Sequence, residues 1–455
     1  MVNLIAIDRH SKKNPLIIKR LLTIIAGVFW ISVSAHAYSL AELINIAISS
    51  HPTVQSQLAL IQSADASIDA AKWGFFPTPG FSVQRASASN KDPQFSFGNN
   101  QDDTIYTLRL SQPLWTGGRL TALLDRAVAN EDYSLSSLRL TRKELSIRVL
   151  QYYSNIVSSQ LRIQAINRSL AEHEKLKALI QRRIKGGVSP EGELTQVIMR
   201  MQQLQADELN VETSLMASIE TLNQLIGRPI SLNQLDDSKS SFIPITTSSN
   251  ELLIEAYRND PTLERLQAQI KLQQAEYDIS QSYLQPEVSL RLERQYGSFY
   301  NPDLYGGNIP PLTRMYVEVG SNFGAGLSTF SNIQAARQRY EAAMADLESG
   351  KRSVAEQLQV AHAQYATISH RIDSLTDSLS AAQEIQLAWE RQFLAGRRTW
   401  NDLMNAVREI NQIDLQIADA KAFQIQTSWQ IAIISEGIET VLRKQGKPIA
   451  GESAK

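Results

Sequence analysis

Cysteine is absent from all 455 residues. That excludes disulfides, thiolate metal sites, cysteine nucleophiles and a lipidated N-terminal cysteine. Aromatic residues make up 7 % and the formal net charge is −1, so the composition carries neither a nucleic-acid footprint nor a strongly acidic surface. No segment beyond Ala37 is apolar enough for a membrane-spanning helix. A later entry into a membrane must therefore be made as strands. Proline is missing between Pro113 and Pro190 and again between Pro311 and Pro448, and glycine is missing from Leu120 through Lys185. With both helix breakers held to its ends, Arg119 to Lys185 reads as one helix. Its 67 positions (185 − 119 + 1) make a rod of about 100 Å. No ordinary globular domain needs such a rod.

The rod has a twin. Pro52 and Pro261 differ by 261 − 52 = 209, and so do Glu42 and Glu251, Pro77 and Pro286, Leu114 and Phe323, Gly187 and Gly396, and Leu194 and Leu403. Six matched pairs in one order indicate a tandem duplication with no net insertion. The expected organisation is a signal peptide over 1–37, a first repeat over 38–227, a linker over 228–249, a second repeat over 250–440 and a tail over 441–455. Arg9, Lys12, Lys13, Lys19 and Arg20 form the positive n-region, Leu21 to Val33 the apolar stretch, and Ala35-His36-Ala37 the cleavage pattern.

Within each repeat the order is helix, strand, loop, strand, long helix, reverse, helix. Ser39 with Glu42 reads as a capping box, and His51-Pro52 as a bend. The strand pairs are expected over 81–114 and 287–323, and the helical reversals near Gly187 and Gly396. Tyr106, Leu108 and Leu110 alternate with Thr107, Arg109 and Ser111; Val288, Leu290 and Leu292 alternate with Ser289, Arg291 and Glu293. The stretches 91–103 and 298–311 have loop composition, and surface exposure would suit them to a secondary use as receptors for phage or bacteriocins. Four amphipathic strands cannot close a membrane barrel, which takes at least about eight. Three copies would supply 3 × 4 = 12. The rods carry a narrow apolar stripe, as at Leu138, Leu145, Ile156 and Ile163, which must be buried against neighbouring helices. The expected fold is mainly α with a small membrane β-barrel portion: duplicated helical hairpins forming a trimeric α-barrel, with four strands per chain in a shared 12-stranded barrel.

The run Ser111-Gln112-Pro113-Leu114-Trp115-Thr116-Gly117-Gly118-Arg119, with the turns Gly187-Val188-Ser189-Pro190-Glu191-Gly192-Glu193-Leu194 and Gly396-Arg397-Arg398-Thr399-Trp400-Asn401-Asp402-Leu403, resembles the TolC-like family of outer-membrane efflux and secretion channels. The resemblance covers about residues 38 to 440. Two features depart from the pattern. The second junction, Ser321 to Thr329, lacks the proline and paired glycines, and Gly350 is expected to kink the second rod.

The resemblance implies a homotrimer in the outer membrane of a Gram-negative bacterium, extending into the periplasm. It implies a periplasmic adaptor and an inner-membrane ABC or proton-driven exporter as partners, no cofactor and no enzymatic activity. Among the branches, the chain reads more like outer-membrane components of type I secretion of proteins or adhesins. Pro113, Trp115, Gly117 and Gly118 mark the strand-to-helix junction. Trp115 and Tyr106 suit either a membrane-interface belt or simple packing. At the far ends, the resemblance places Asp402 and Asn405 toward the channel axis, with Arg398 reaching the neighbouring turn near Gly192 and Glu193 to latch a periplasmic gate. Asp402 and Glu193 also suit the plainer role of acids at helix N-termini. Gly187, Val188, Gly396 and Arg397 would form the tips that meet the adaptor, although the glycines also serve as helix caps. The rival reading is a non-channel periplasmic coiled-coil scaffold or adaptor-like rod. His173-Glu174 lacks the second histidine of a zinc-protease helix, and no phosphate-loop ending follows Gly186-Gly187.

Overall fold

A computed structural model describes residues 38–86, 103–235, 242–297, 312–321 and 326–446. The expected signal peptide, nearly all of both expected loops, and positions 322–325 of the second junction lie outside the described residues. The first repeat consists of α1 (Leu40–Ser50), α2 (Pro52–Trp73), β1 (Thr78–Ala86), β2 (Asp103–Trp115), α3 (Arg119–Lys185) and α4 (Glu191–Ile226). The second consists of α5 (Ser249–Asn259), α6 (Pro261–Ser282), β3 (Glu287–Gly297), β4 (Leu312–Gly320), α7 (Ser328–Leu394) and α8 (Trp400–Glu436). A short α9 (Ile438–Lys444) carries the chain beyond the second repeat. Helix starts repeat at the sequence offset: 249 − 40, 261 − 52, 328 − 119 and 400 − 191 all equal 209.

The punctuation is local chemistry. Ser39 and Ser248 each accept from the backbone N–H three residues on, and Glu42 and Glu251 return the bond to the cap N–H. These reciprocal bonds satisfy donors that no helix can satisfy internally. His51 and Asp260 cap the following helices, whose first residue is proline, where a missing N–H costs nothing.

The four strands form one antiparallel sheet in the order β1-β2-β3-β4. Register places Phe81 opposite Leu108, Leu110 opposite Leu292 and Leu292 opposite Met315 on one face. Phe81, Val83, Leu108, Met315, Val317 and Val319 on that face are exposed. The opposite face is charged: Arg109 pairs with Glu293, and Arg291 with Glu318 at 2.6 Å. A sheet dry on one side and ion-paired on the other suits a lipid-facing exterior and a wet interior.

Below the sheet, α6 packs between α3 and α7, α2 packs on α3, and further along α8 packs on both α3 and α7. The largest core lies where α1 and α9 cross the rods. It gathers Leu43, Ile44, Tyr153, Leu222, Trp429 and Leu442. Gly350 does not break α7, which is continuous from Ser328 to Leu394. A Cβ there would meet Leu266 Cδ1 at 2.4 Å, so the glycine serves a close approach between α7 and α6.

Candidate functional site

The chain's landmarks fall at the two ends of the rods. At the sheet end, β2 passes into α3 through a bulge between Pro113 and Trp115. Pro113 lies past the last β1 pairing, Thr78 with Ser111, so its missing N–H breaks no bond to that strand. Thr116 is buried, and its Oγ1 accepts from the Leu120 N–H at 3.3 Å. Gly117 is required twice: its φ is +61°, and a Cβ would stand 2.3 Å from Gln285 Cβ. Gly118, at φ +85°, is the helix cap. Arg119 reaches Glu287 at the start of β3, with Nε to Oε1 at 2.8 Å, and so ties the two halves together at the junction. Trp115 and Tyr106 are both exposed.

At the distal end the two reversals share one geometry. Gly187 N–H donates to Ile184 O at 2.9 Å and Val188 N–H to Arg183 O at 2.9 Å; Gly396 N–H donates to Phe393 O at 3.0 Å and Arg397 N–H to Gln392 O at 2.9 Å. Both glycines have φ near +70° (72° and 71°), the left-handed closure that favours glycine. Nothing lies within 4 Å of a Cβ at either position, and Val188 and Arg397 beside them are exposed.

The helices leaving these turns start differently. Thr399 caps α8, and Asp402 completes a capping box: its Oδ2 accepts from Thr399 Oγ1 at 2.8 Å and from Thr399 N–H at 3.1 Å. The Thr399 hydroxyl first, and its backbone N–H second, hold the Asp402 carboxyl below the usual aspartate range; the Arg398 charge adds less. Arg398 lies 3.8 Å from Asp402, donates to Gln392 and stacks 4.7 Å above Trp389. Its partners are thus all in its own hairpin. Asn405 is exposed one turn further on. In the first hairpin Pro190 caps α4 without a side-chain bond. Glu193, at the position matching Asp402, is half-buried, with Oε2 lacking a partner. Gly192 faces open space.

Beneath the turns, Leu176, Ile180 and Val197 of the first hairpin pack with Phe393, Trp400, Leu403 and Val407 of the second. Arg183 fastens them: its guanidinium lies 4.6 Å above the Phe393 ring while Nε donates to Ser189 Oγ at 3.0 Å. Sequence spacing missed this residue, because nothing local shows which helix lies across from it. Among the described residues no acid, histidine or cysteine cluster could hold a metal, and no helix is long and apolar enough to cross a membrane.

An open, one-side-apolar sheet continued by rods with glycine-closed tips defines the wall segment of an outer-membrane duct. The chain belongs to the family described as outer membrane efflux protein, which matches residues 43–228 and 252–434. It is 23 % identical over 420 residues to outer membrane protein TolC of Vibrio cholerae, covering 90 % of this chain and 92 % of that one. It is 21 % identical over 431 residues to the alkaline protease secretion protein AprF of Pseudomonas aeruginosa, covering 90 % and 87 %. The outer membrane protein VceC of Vibrio cholerae superposes with a TM-score of 0.74 at 15 % identity, over 88 % of this chain and 96 % of that one. The protein is an outer-membrane export channel of a Gram-negative cell, extending into the periplasm, and not an enzyme. The coiled-coil scaffold is thereby set aside.

Proposed function

We propose that three copies complete one conduit, pairing β4 of each with β1 of the next into a 12-stranded barrel and continuing it as a helical tunnel. The observation that carries this reading is the sheet itself. β1 and β4 are its two edges, its apolar face is bare, and unpaired backbone groups in lipid cost several kcal/mol each. In this arrangement three copies of Asp402 and Asn405 ring the periplasmic mouth. A carboxylate ring favours cations. Arg398 orders that acid from its own hairpin, with Glu193 and Gly192 on the adjoining turn. Val188 and Arg397, beside the closing glycines Gly187 and Gly396, form the tips offered to a periplasmic adaptor. An inner-membrane ABC or proton-driven exporter loads the cargo, either proteins or adhesins by type I secretion or small molecules such as drugs. The likeness to an alkaline protease secretion protein supports the protein branch.

Single-channel recording in planar bilayers tests the gate. Asp402→Asn should reduce cation preference, and Asp402→Asn and Arg398→Ala should each raise conductance. Unchanged conductance and ion preference in both would remove the gate assignment.

A further inference from the structure

The register of the sheet fixes its tilt. Across the sheet, Leu312 of β4 falls level with Ser82 of β1, and Tyr316 with Thr78. β4 is therefore displaced along β1 by the same amount at both ends, 86 − 82 = 320 − 316 = 4 positions. Four positions rise about 14 Å, and three strand spacings also cover about 14 Å. The resulting slope of about 45° is close to the strand tilt of membrane barrels. Residues displaced along that slope stand at one height in the membrane.

The apolar face changes character along the same slope. Rising from the rods, β1 presents Pro79, Phe81 and Val83, then Arg85. β4 presents Val319, Val317 and Met315, then Thr313. Met315 is in register with Pro79, so the last apolar members are again 83 − 79 = 4 positions apart. A level line thus divides a dry band from a polar rim. Arg294 of β3 is in register with Phe81 through Leu108. Two strand spacings on the slope raise it to a height between Val83 and Arg85, on the line itself. Its guanidinium lies 4.8 Å from the centre of the Tyr296 ring, two residues nearer the end remote from the rods. The side chain is therefore turned out of the dry band and toward the outer leaflet.

Arg294 differs from the arginines of the charged face. Arg109 and Arg291 lie beside Glu293 and Glu318. Arg294 is exposed on the apolar face, rests on an aromatic ring, and has no carboxylate partner among the described residues. Thr313 stands directly opposite it on β4, and Tyr106 faces Tyr296 from β2. All three are exposed. A charge on a lipid-facing surface is penalised toward the midplane and tolerated at the interface, where tyrosines also gather. A guanidinium is the side chain that matches a phosphate with two parallel hydrogen bonds.

We propose that Arg294, braced on Tyr296 and flanked by Thr313 and Tyr106, holds the phosphate of an anionic lipid of the outer leaflet against the barrel wall. This rests on the barrel reading above, which turns the apolar face to lipid. The contact fixes the height of the sheet in the membrane, and with it how far the rods reach into the periplasm.

The test inserts the protein into phosphatidylethanolamine vesicles that contain either bisphosphorylated lipid A or the same lipid without its phosphates. The protein is re-extracted in mild detergent, and retained lipid is counted by native mass measurement. The wild type should retain the phosphorylated form at least about fivefold more than the other. Arg294→Gln should abolish that preference. Arg294→Lys should keep part of it, because an ammonium supplies the charge without the planar fork. Arg314, in register with Glu293 on the charged face, is the control, and Arg314→Gln should change nothing. No preference in the wild type, a full preference in Arg294→Gln, or an equal loss in Arg314→Gln overturns the site. Release of the lipid by inorganic phosphate alone overturns its assignment to a lipid. The wild-type comparison needs no variant, so a variant that fails to fold leaves the test standing. A wild-type protein that does not float with the vesicles overturns the barrel reading instead.

Discussion

His51 and Asp260 stand at matched positions of the two repeats, each between a short helix and a proline-led one. The His51 ring accepts from the Thr53 N–H at 3.2 Å; Asp260 Oδ1 accepts from the Thr262 N–H at 2.8 Å. The backbone task is the same. The surroundings are not: Asp260 also holds Lys143, with side-chain exposures of 0 % and 6 %, while His51 is half-exposed and has no charged partner among the described contacts. One position is sealed inside the chain by an ion pair and the other stays half-exposed. A duplicated chain can therefore keep its backbone plan and still assign different physical roles to its two copies. Replacing one partner of a buried pair leaves the other desolvated and uncompensated, which costs roughly 3–5 kcal/mol. Asp260→Ala should therefore lower the urea midpoint of the helical circular dichroism signal severely. His51→Ala should cost about 1 kcal/mol or less, the worth of a cap. Equal losses would break the comparison.

Much of this plan was legible in the sequence. The rods could be read because proline and glycine act on their own neighbours, and the offset because breakers recur at fixed intervals. The turns at Gly187 and Gly396 were legible for the same reason. The alternation of Tyr106, Leu108 and Leu110 likewise gave the apolar face of the sheet, since side-chain direction alternates whatever the strand's partner. Lys143 with Asp260 and Arg183 with Phe393 were hidden. Each links residues more than a hundred positions apart, and pairing depends on which helix lies alongside. The packing role of Gly350 was hidden for that reason: it is set by Leu266 on another helix.

The hairpin tips sharpen the same comparison at a smaller scale. Thr399 and Asp402 close a reciprocal capping box; Pro190 and Glu193, at the same places, cannot. Thr399→Ala should therefore destabilise the second tip by about 1 kcal/mol, read as faster amide exchange over the first turn of α8. Pro190→Thr should build the missing box with Glu193 and slow exchange at the start of α4. The gain should be smaller, because proline's restriction of the unfolded chain is lost. No slowing at Pro190→Thr and no acceleration at Thr399→Ala would mean that the tips are held by the Phe393–Trp400 cluster alone.

The smallest expected effect lies along the rods, where His173 of α3 matches Ala382 of α7. His173 is 1 % exposed, its Nδ1 lies 2.7 Å from Ser169 O, and its Nε2 has no partner. Burial first, and the charge of Arg200 on α4 to a lesser degree, push its pKa below the ordinary histidine value; the Ser169 carbonyl and Glu172 only partly oppose this. The folded rod therefore holds a neutral imidazole that the unfolded chain protonates more readily. Stability is full above the ordinary imidazole range and falls as pH drops through it, because the unfolded state then binds more protons. The loss levels off once pH is below the lowered folded value. His173→Leu removes the titrating group while keeping the site filled. The urea midpoint of the wild-type protein should decline more steeply than that of the variant between about pH 7.5 and pH 5.5, the window in which histidine changes charge and most carboxylates do not. Identical slopes would mean that the imidazole is reached by water in solution, and that the buried difference between the two rods has no energetic consequence.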